Sequence, residues 1–170
     1  MKHPIFSVLL AGALSLTLLA GCGSNDSGSS GPADPGKQVD LTAFAETVQS
    51  SYELPSLMLA DEALLDSYYP GLSDLSLEQC VVYVSMMSMS NGELALIQLS
   101  DAGDAGKAEE ILQARVDYMV GDGNGPGGAM YPESTRIWDE CSRIVTHDGY
   151  VMLVVSESCD DIAADFDAQF

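Results

Sequence analysis

The sequence has few positive charges. Its 170 residues include six lysines and arginines against 26 aspartates and glutamates, which gives a formal net charge of −20 at pH 7. Nucleic acids and anionic headgroups are repelled by a surface of that sign, so the composition excludes nucleic-acid binding. The acidic residues are dispersed along the chain, which is typical of a solvated surface and does not by itself indicate cation capture.

Histidine is scarce as well, and this limits the catalytic chemistry available to the chain. Of the two histidines, only His147 lies outside the apolar leader described below. A serine or cysteine nucleophile needs an adjacent base, whereas Ser156 and Cys159 are separated from His147 by a predicted strand. The sequence contains no metalloprotease, P-loop or dinucleotide-binding motif. We therefore expect no enzymatic activity and no cofactor.

The chain has no apolar run of the length that a permanent membrane span requires, but it has a shorter one. Residues 5–19 are mainly apolar and follow Lys2, and about 20 such residues are needed to cross a bilayer. The run ends in Leu19-Ala20-Gly21-Cys22, which is typical of a lipoprotein signal peptide. This pattern predicts cleavage between Gly21 and Cys22 and a diacylglyceryl anchor on Cys22, which holds a protein stably at a membrane.

The motif Leu19-Ala20-Gly21-Cys22, called a lipobox, divides the chain into three predicted parts. Residues 1–21 form the signal peptide, residues 22–38 form the lipidated cysteine and a disordered tether, and residues 39–170 form a single domain. The tether lacks large apolar residues, so it cannot bury enough surface to offset the entropy lost on ordering. We expect the domain to lie on the extracytoplasmic face of the cell membrane, held by the lipid anchor.

Apolar periodicity predicts an α+β domain. Residues at helical spacing predict helices over 41–51, 61–68, 105–119, 132–141 and 160–170, the first capped by Asp40. Two β-hairpins are predicted, one over 81–99 around Asn91-Gly92 and one over 142–155 around Asp148-Gly149. A helix follows each hairpin, which predicts a four-stranded antiparallel sheet built from two hairpin-helix units, with the helices on one face.

Three segments of the domain resemble a known group of proteins. They are the strand region that contains Met86-Met87, the sequence Tyr131-Pro132-Glu133, and residues 150–156. Together they resemble the small lipoproteins of Clostridia-type Firmicutes that carry a C-terminal domain of unknown function, over about residues 40–170. The resemblance implies a lipid-anchored extracytoplasmic protein with no assigned activity, and it contributes no functional residues.

The glycine-rich segment 121–128 carries the candidate metal ligands. Asp122, Asn124 and Glu133 occupy the first, third and twelfth positions of a loop similar to that of an EF-hand, which binds calcium through oxygen ligands. The fifth position is Pro126, which offers no side-chain oxygen. A calcium site formed by these residues and a solvent-exposed loop without an ion are the two alternatives.

Cysteines and aromatic residues leave further alternatives open. Besides Cys22, the chain contains three cysteines: Cys80, Cys141 and Cys159. Cys141 and Cys159 bracket the second hairpin, and there they either form a disulfide or stay reduced and buried. Tyr68-Tyr69, and Tyr131 with Trp138, line either a groove or the edge of the core.

The sequence as a whole predicts a non-catalytic lipoprotein. We expect its domain to bind an extracytoplasmic protein or a wall component, and the alternative is a small-ligand or cation-binding module.

Overall fold

The computed structural model of the chain describes residues 38–87, 91–125 and 127–170. The predicted signal peptide, Gly21, Cys22 and the tether as far as Lys37 lie outside the described residues. Within the described ranges the chain is an α+β fold with five α-helices and an antiparallel sheet. None of these helices combines the length and the apolar character that crossing a bilayer requires.

The sheet has five antiparallel strands in this part of the chain, one more than the sequence predicts. Its strands are β1 (Leu57–Leu59), β2 (Leu77–Ser85), β3 (Glu93–Leu99), β4 (Ser142–His147) and β5 (Tyr150–Val155), in the spatial order β1-β2-β3-β5-β4. The prediction of four strands was wrong because β1 is three residues long and shows no alternation of apolar and polar side chains. Its pairing with residues 83–85 of β2 is what makes it a strand.

The predicted helices are confirmed. They are α1 (Leu41–Ser51), α2 (Glu62–Tyr68), α3 (Ala105–Val120), α4 (Pro132–Glu140) and α5 (Cys159–Asp167). The largest difference is at the end of α5, which stops at Asp167 and does not continue to residue 170. Asp40 caps α1 as expected, because its Oδ1 accepts hydrogen bonds from the backbone N–H groups of Thr42 and Ala43, both at 3.0 Å.

Helices pack on both faces of the sheet, so the prediction that they share one face was wrong. The face that includes Ala95 and Ile97 of β3 is covered by α2, α3 and α4, and the face that includes Leu94 and Leu96 is covered by α1 and α5. All seven residues of β3 are buried. Because successive side chains of a strand point to opposite faces, this burial requires a cover on each side.

The two hairpins differ in their connections. β4 and β5 are joined by the predicted Asp148-Gly149 turn, in which Asp148 has a positive φ of 50°. β2 and β3 are instead joined by residues 86–92, so Asn91-Gly92 is not a two-residue turn. Gly92 serves a different purpose, since a Cβ at this position would lie 2.6 Å from Cγ of Pro55. The segment before β1 therefore packs directly against the start of β3.

Candidate functional site

A buried ion pair joins the sheet to α3. Glu93 opens β3 on the face covered by α2, α3 and α4, and its side chain is 2% exposed, whereas that of Arg115 on α3 is 7% exposed. The Nε of Arg115 donates to Oε1 of Glu93 at 3.0 Å, and Nη2 donates to Oε2 at 2.8 Å. Two parallel hydrogen bonds of this kind fix the plane of the guanidinium as well as its position.

Tyr69 adds a third polar group to this pair. Its ring follows α2 and is fully buried, and its hydroxyl donates a hydrogen bond to Oε1 of Glu93. Burial, followed by the charge of Glu93 and this hydrogen bond, raises the pKa of Tyr69 well above its ordinary value. The phenol therefore stays protonated and remains a donor. Tyr69, Glu93 and Arg115 are referred to below as the buried polar cluster.

Aromatic rings flank the guanidinium of Arg115. Its Cζ lies 4.1 Å from the ring centre of Tyr68 and 5.2 Å from that of Trp138, within the range of cation–π attraction. Burial lowers the pKa of Arg115, but the hydrogen bonds and the charge of Glu93 outweigh it, and the net effect raises the pKa. Arg115 is therefore a permanently charged group held in one orientation.

One edge of this guanidinium is available to a ligand. A carboxylate bound through Nε and Nη2 leaves Nη1 on the edge that points away from it. Among the described residues, Arg115 makes hydrogen bonds only through Nε and Nη2, and none of their buried side-chain nitrogen or oxygen atoms lacks a partner. Nη1 therefore has no partner in the described part of the chain, and Arg115, although more than nine-tenths buried, lines two pockets.

A pocket of about 590 Å³ lies beside Arg115, and we name it the α2–α3 pocket. One wall is a single face of α3, because its residues recur at intervals of three and four. They are Lys107, Glu110, Ile111, Ala114, Arg115 and Tyr118. The opposite wall is formed by the end of α2 and the chain that follows it, including Tyr68, Pro70 and Leu75. From Lys107 to Arg115 the pocket follows about 12 Å of helix, and its lining is mainly apolar.

A second pocket, of about 240 Å³, adjoins the first. The two share Tyr68, Arg115 and Tyr118 as lining residues, and the second is also lined by Glu93 and Trp138. Arg115 therefore stands between a mainly apolar pocket and a more polar one that contains its own counter-charge. This arrangement can bind a molecule, but the described side chains around it include no histidine or cysteine for nucleophilic chemistry.

The predicted calcium ligands are not brought together with this cluster. Asp122 accepts hydrogen bonds from Asn124, through the backbone N–H at 3.0 Å and Nδ2 at 3.1 Å. Glu133 forms an ion pair with Arg136 at 2.6 Å. Within the described ranges, no three histidine, cysteine, aspartate or glutamate side chains lie close enough to hold a metal ion. A calcium site that includes the amide oxygen of Asn124 stays a prediction.

The three described cysteines are free thiols, as the second alternative has it, but only Cys159 is buried and the other two are half-buried. Cys141 and Cys159 lie on neighbouring segments, since the carbonyl of Cys141 accepts from the N–H of Ser156 and that of Ser156 accepts from the N–H of Cys159. Burial raises the pKa of Cys80 and of Cys159, which reduces their reactivity as thiolates.

His147 lies away from the polar cluster, at the end of β4. Its Nε2 is 2.7 Å from Oδ1 of Asp167, and its ring stacks on Phe170 with the ring centres 4.5 Å apart.

Neither Arg115 nor Glu93 is among the candidate site residues that the sequence predicts. The sequence does contain one feature that points to Glu93. It is a carboxylate directly before the apolar residues of a predicted strand, which are buried in the structure, and an unpaired charge in such a place is costly. Tyr68 lines both pockets, which supports the groove alternative, whereas Trp138 lines the smaller pocket and is also part of the buried core. Tyr69 is instead wholly inside the core.

One known family model matches the part of the chain that contains the buried polar cluster and both walls of the α2–α3 pocket. No curated protein and no solved structure matches the chain. Residues 50–156, well over half of the sequence, match the family model described as a domain of unknown function (DUF4358). This range includes Tyr69, Glu93, Arg115 and Trp138, so the buried polar cluster lies within the matched part of the chain. The chain belongs to the DUF4358 family of domains of unknown function.

Proposed function

We propose that this protein is a non-catalytic, lipid-anchored binding domain that works on the extracytoplasmic face of the membrane and takes a small ligand into the α2–α3 pocket. The observation that carries the proposal is the pocket of about 590 Å³ whose wall includes Arg115, a cation whose Nη1 has no hydrogen-bond partner among the described residues. A pocket of this volume, mainly apolar with a few fixed polar groups, is typical of small-molecule sites.

The pocket favours a small ligand over a large protein partner. A protein interface is a broad surface with fully buried anchor residues, whereas this cavity is bounded on two sides by α3 and the α2 segment. The ion pair with Glu93 and the rings of Tyr68 and Trp138 hold Arg115 before a ligand arrives. Such preorganisation reduces the entropy lost on binding. An extracytoplasmic protein or wall component remains a partner for the rest of the surface.

The membrane location in this proposal comes from the lipobox at Cys22. A diacylglyceryl anchor and a polar tether would hold the pocket near the outer surface of the membrane. There it would meet molecules that enter or leave the envelope.

Nile red, an uncharged dye that becomes fluorescent in apolar surroundings, tests for the pocket. Ala114 is exposed on the pocket wall of α3, so Ala114→Trp places an indole in the cavity without disturbing the core. The matched control is Ala164→Trp, at an exposed position of α5 on the opposite face of the sheet. We expect saturable binding to the wild type and to Ala164→Trp, and a loss of at least about tenfold in affinity for Ala114→Trp.

Equal dye binding by all three proteins would refute the proposal, because the dye would then bind outside the pocket. Absence of saturable binding to the wild type would refute it as well. Circular dichroism and thermal unfolding of each variant show whether a loss of binding reflects a loss of fold.

A further inference from the structure

We propose that the α2–α3 pocket selects an uncharged, elongated and mainly apolar molecule that carries a hydrogen-bond-accepting oxygen, and that this oxygen binds Nη1 of Arg115. This inference rests on the proposed function and adds the chemical class of the ligand. It is carried by the donor geometry of Arg115 and by the charges that surround the pocket.

The requirement for an acceptor follows from the fixed guanidinium. Nε and Nη2 are used by Glu93, which lines the smaller pocket and not the α2–α3 pocket. Nη1 lies on the opposite edge and has no partner among the described residues. A buried charged donor gains most from an acceptor with which it forms a hydrogen bond. A carbonyl or hydroxyl oxygen of the ligand supplies that acceptor.

We infer an uncharged ligand because both cations that line the pocket, Arg115 and Lys107, already have a negatively charged partner. Glu93 neutralises Arg115, and Lys107 at the other end of the pocket is paired with Asp104 at 2.6 Å. Glu110 adds a negative charge to the wall. A ligand carboxylate at Nη1 would therefore lie near the Glu93 carboxylate in a poorly solvated place, where like charges repel strongly. The net charge of −20 opposes an anion further.

The apolar and elongated form follows from the shape of the lining. Between Arg115 and Lys107 the walls are formed by side chains such as Ile111, Ala114 and Leu75. This stretch follows about 12 Å of α3. An extended alkyl chain of about eight carbons fits beside it and gains affinity from the apolar surface that it buries.

Three probes with the same eight-carbon chain test the inference: octanamide, octanoate and octylammonium. Their affinities are measured in solution by calorimetric titration, without vesicles. We expect octanamide to bind at least about tenfold more tightly than octanoate or octylammonium, because only octanamide is an uncharged acceptor. Octanoate binding as tightly as octanamide would overturn the inference. So would tightest binding of octylammonium, since the acidic surface would then determine selection.

The contact with Nη1 is tested with a paired variant. Glu93→Leu/Arg115→Met removes both charges together, so neither is left buried without a partner. The control Arg143→Met removes an arginine charge outside both pockets, at the exposed ion pair with Asp160. We expect octanamide affinity to fall about tenfold in the paired variant and to remain unchanged in Arg143→Met. Unchanged affinity in a folded paired variant would contradict the contact.

The two proposals fail in different ways. If Nile red does not bind, or binds Ala114→Trp as well as the wild type, the pocket itself is not the ligand site. If Nile red binds as expected and the three probes do not differ, only the ligand class is wrong.

Discussion

Arg115 and Glu93, which are 22 residues apart in the chain, form a two-point ion pair at 3.0 and 2.8 Å between α3 and the first residue of β3. The pair is nearly closed to solvent. Because a buried charge is tolerated only when it is paired and hydrogen-bonded, this contact fixes how α3 lies on the sheet. The same contact orients the donor that we assign to the ligand.

Removal of Glu93 alone is expected to destabilise the domain strongly. In Glu93→Leu the guanidinium of Arg115 stays buried without its counter-charge, which lowers the free energy of unfolding by about 3–5 kcal/mol. In Glu93→Leu/Arg115→Met no charge is stranded, but the buried hydroxyl of Tyr69 still loses its acceptor, so only part of that loss is recovered. Urea unfolding followed by circular dichroism measures both. Equal stability of the single variant and the wild type would show that the pair is not buried in solution.

Tyr69 is expected to make the domain sensitive to alkaline pH. Its pKa is raised well above 10 in the folded state, first by burial and then by Glu93, so the unfolded chain releases this proton at a lower pH than the folded one. The contribution is fully present below about pH 10. Above that pH the free energy of unfolding falls by about 1.4 kcal/mol per pH unit until the folded pKa is reached.

Tyr69→Phe removes this titration and is expected to flatten the alkaline limb of the stability curve, which unfolding measured across the alkaline range detects. Tyr52 contributes a second, smaller decline, since its hydrogen bond to Asp165 raises its pKa to about 12. Identical alkaline slopes in the wild type and in Tyr69→Phe would contradict the burial of this phenol beside Glu93.

The turn after α3 is expected to tolerate alanine at one glycine and not at another. A Cβ on Gly127 would lie 2.4 Å from the carbonyl oxygen of Met119 and 2.5 Å from the backbone nitrogen of Gly121, whereas one on Gly125 meets nothing within 4 Å. Gly127→Ala should therefore cost about 1–3 kcal/mol, and Gly125→Ala should stay within about 0.5 kcal/mol of the wild type. Thermal unfolding compares them, and equal stabilities would mean that the loop does not pack against α3 as described.

Much of the fold was predictable from the sequence, because helix periodicity and caps are local. The apolar faces of α1 and α3 and the cap at Asp40 depend on residues within one or two turns of each other. β1 was not predictable in this way, since it becomes a strand only through its pairing with β2. The second covered face was recoverable, because the uninterrupted apolar run at residues 94–97 is typical of a strand with helices on both sides.

The candidate site was less predictable than the fold. Arg115 is a charged residue on a helix face whose other residues are mainly apolar. Glu93 directly follows Gly92, at the end of a segment that the sequence predicts to be a turn. Their pairing depends on the register of β3 and on the rotation of α3, and neither is visible from spacing along the chain. The sequence left Tyr68 and Trp138 open as residues of a groove or of the core edge, and it did not indicate the cation between them.

Membrane attachment is expected to depend on a single cysteine. Cys22→Ala removes the acceptor for the diacylglyceryl group, so the protein should leave the membrane fraction and change in electrophoretic mobility. Cys80→Ala is the matched control, because Cys80 lies in β2 of the folded domain, and it should stay with the membrane. Fractionation of Cys22→Ala with membranes, at unchanged mobility, would contradict the lipoprotein assignment.

The central claim, that the α2–α3 pocket is the ligand site, is tested most directly by nuclear magnetic resonance. Amide chemical shifts of the isotope-labelled protein without its lipid anchor are recorded while octanamide is added. We expect the largest shifts on α3 near Ile111 and Arg115 and on the facing residues Tyr68 and Gly71, with α1 unaffected. Shifts confined to α1 and α5, on the other face of the sheet, would contradict the claim, whereas no saturable shift with octanamide would contradict the ligand class alone.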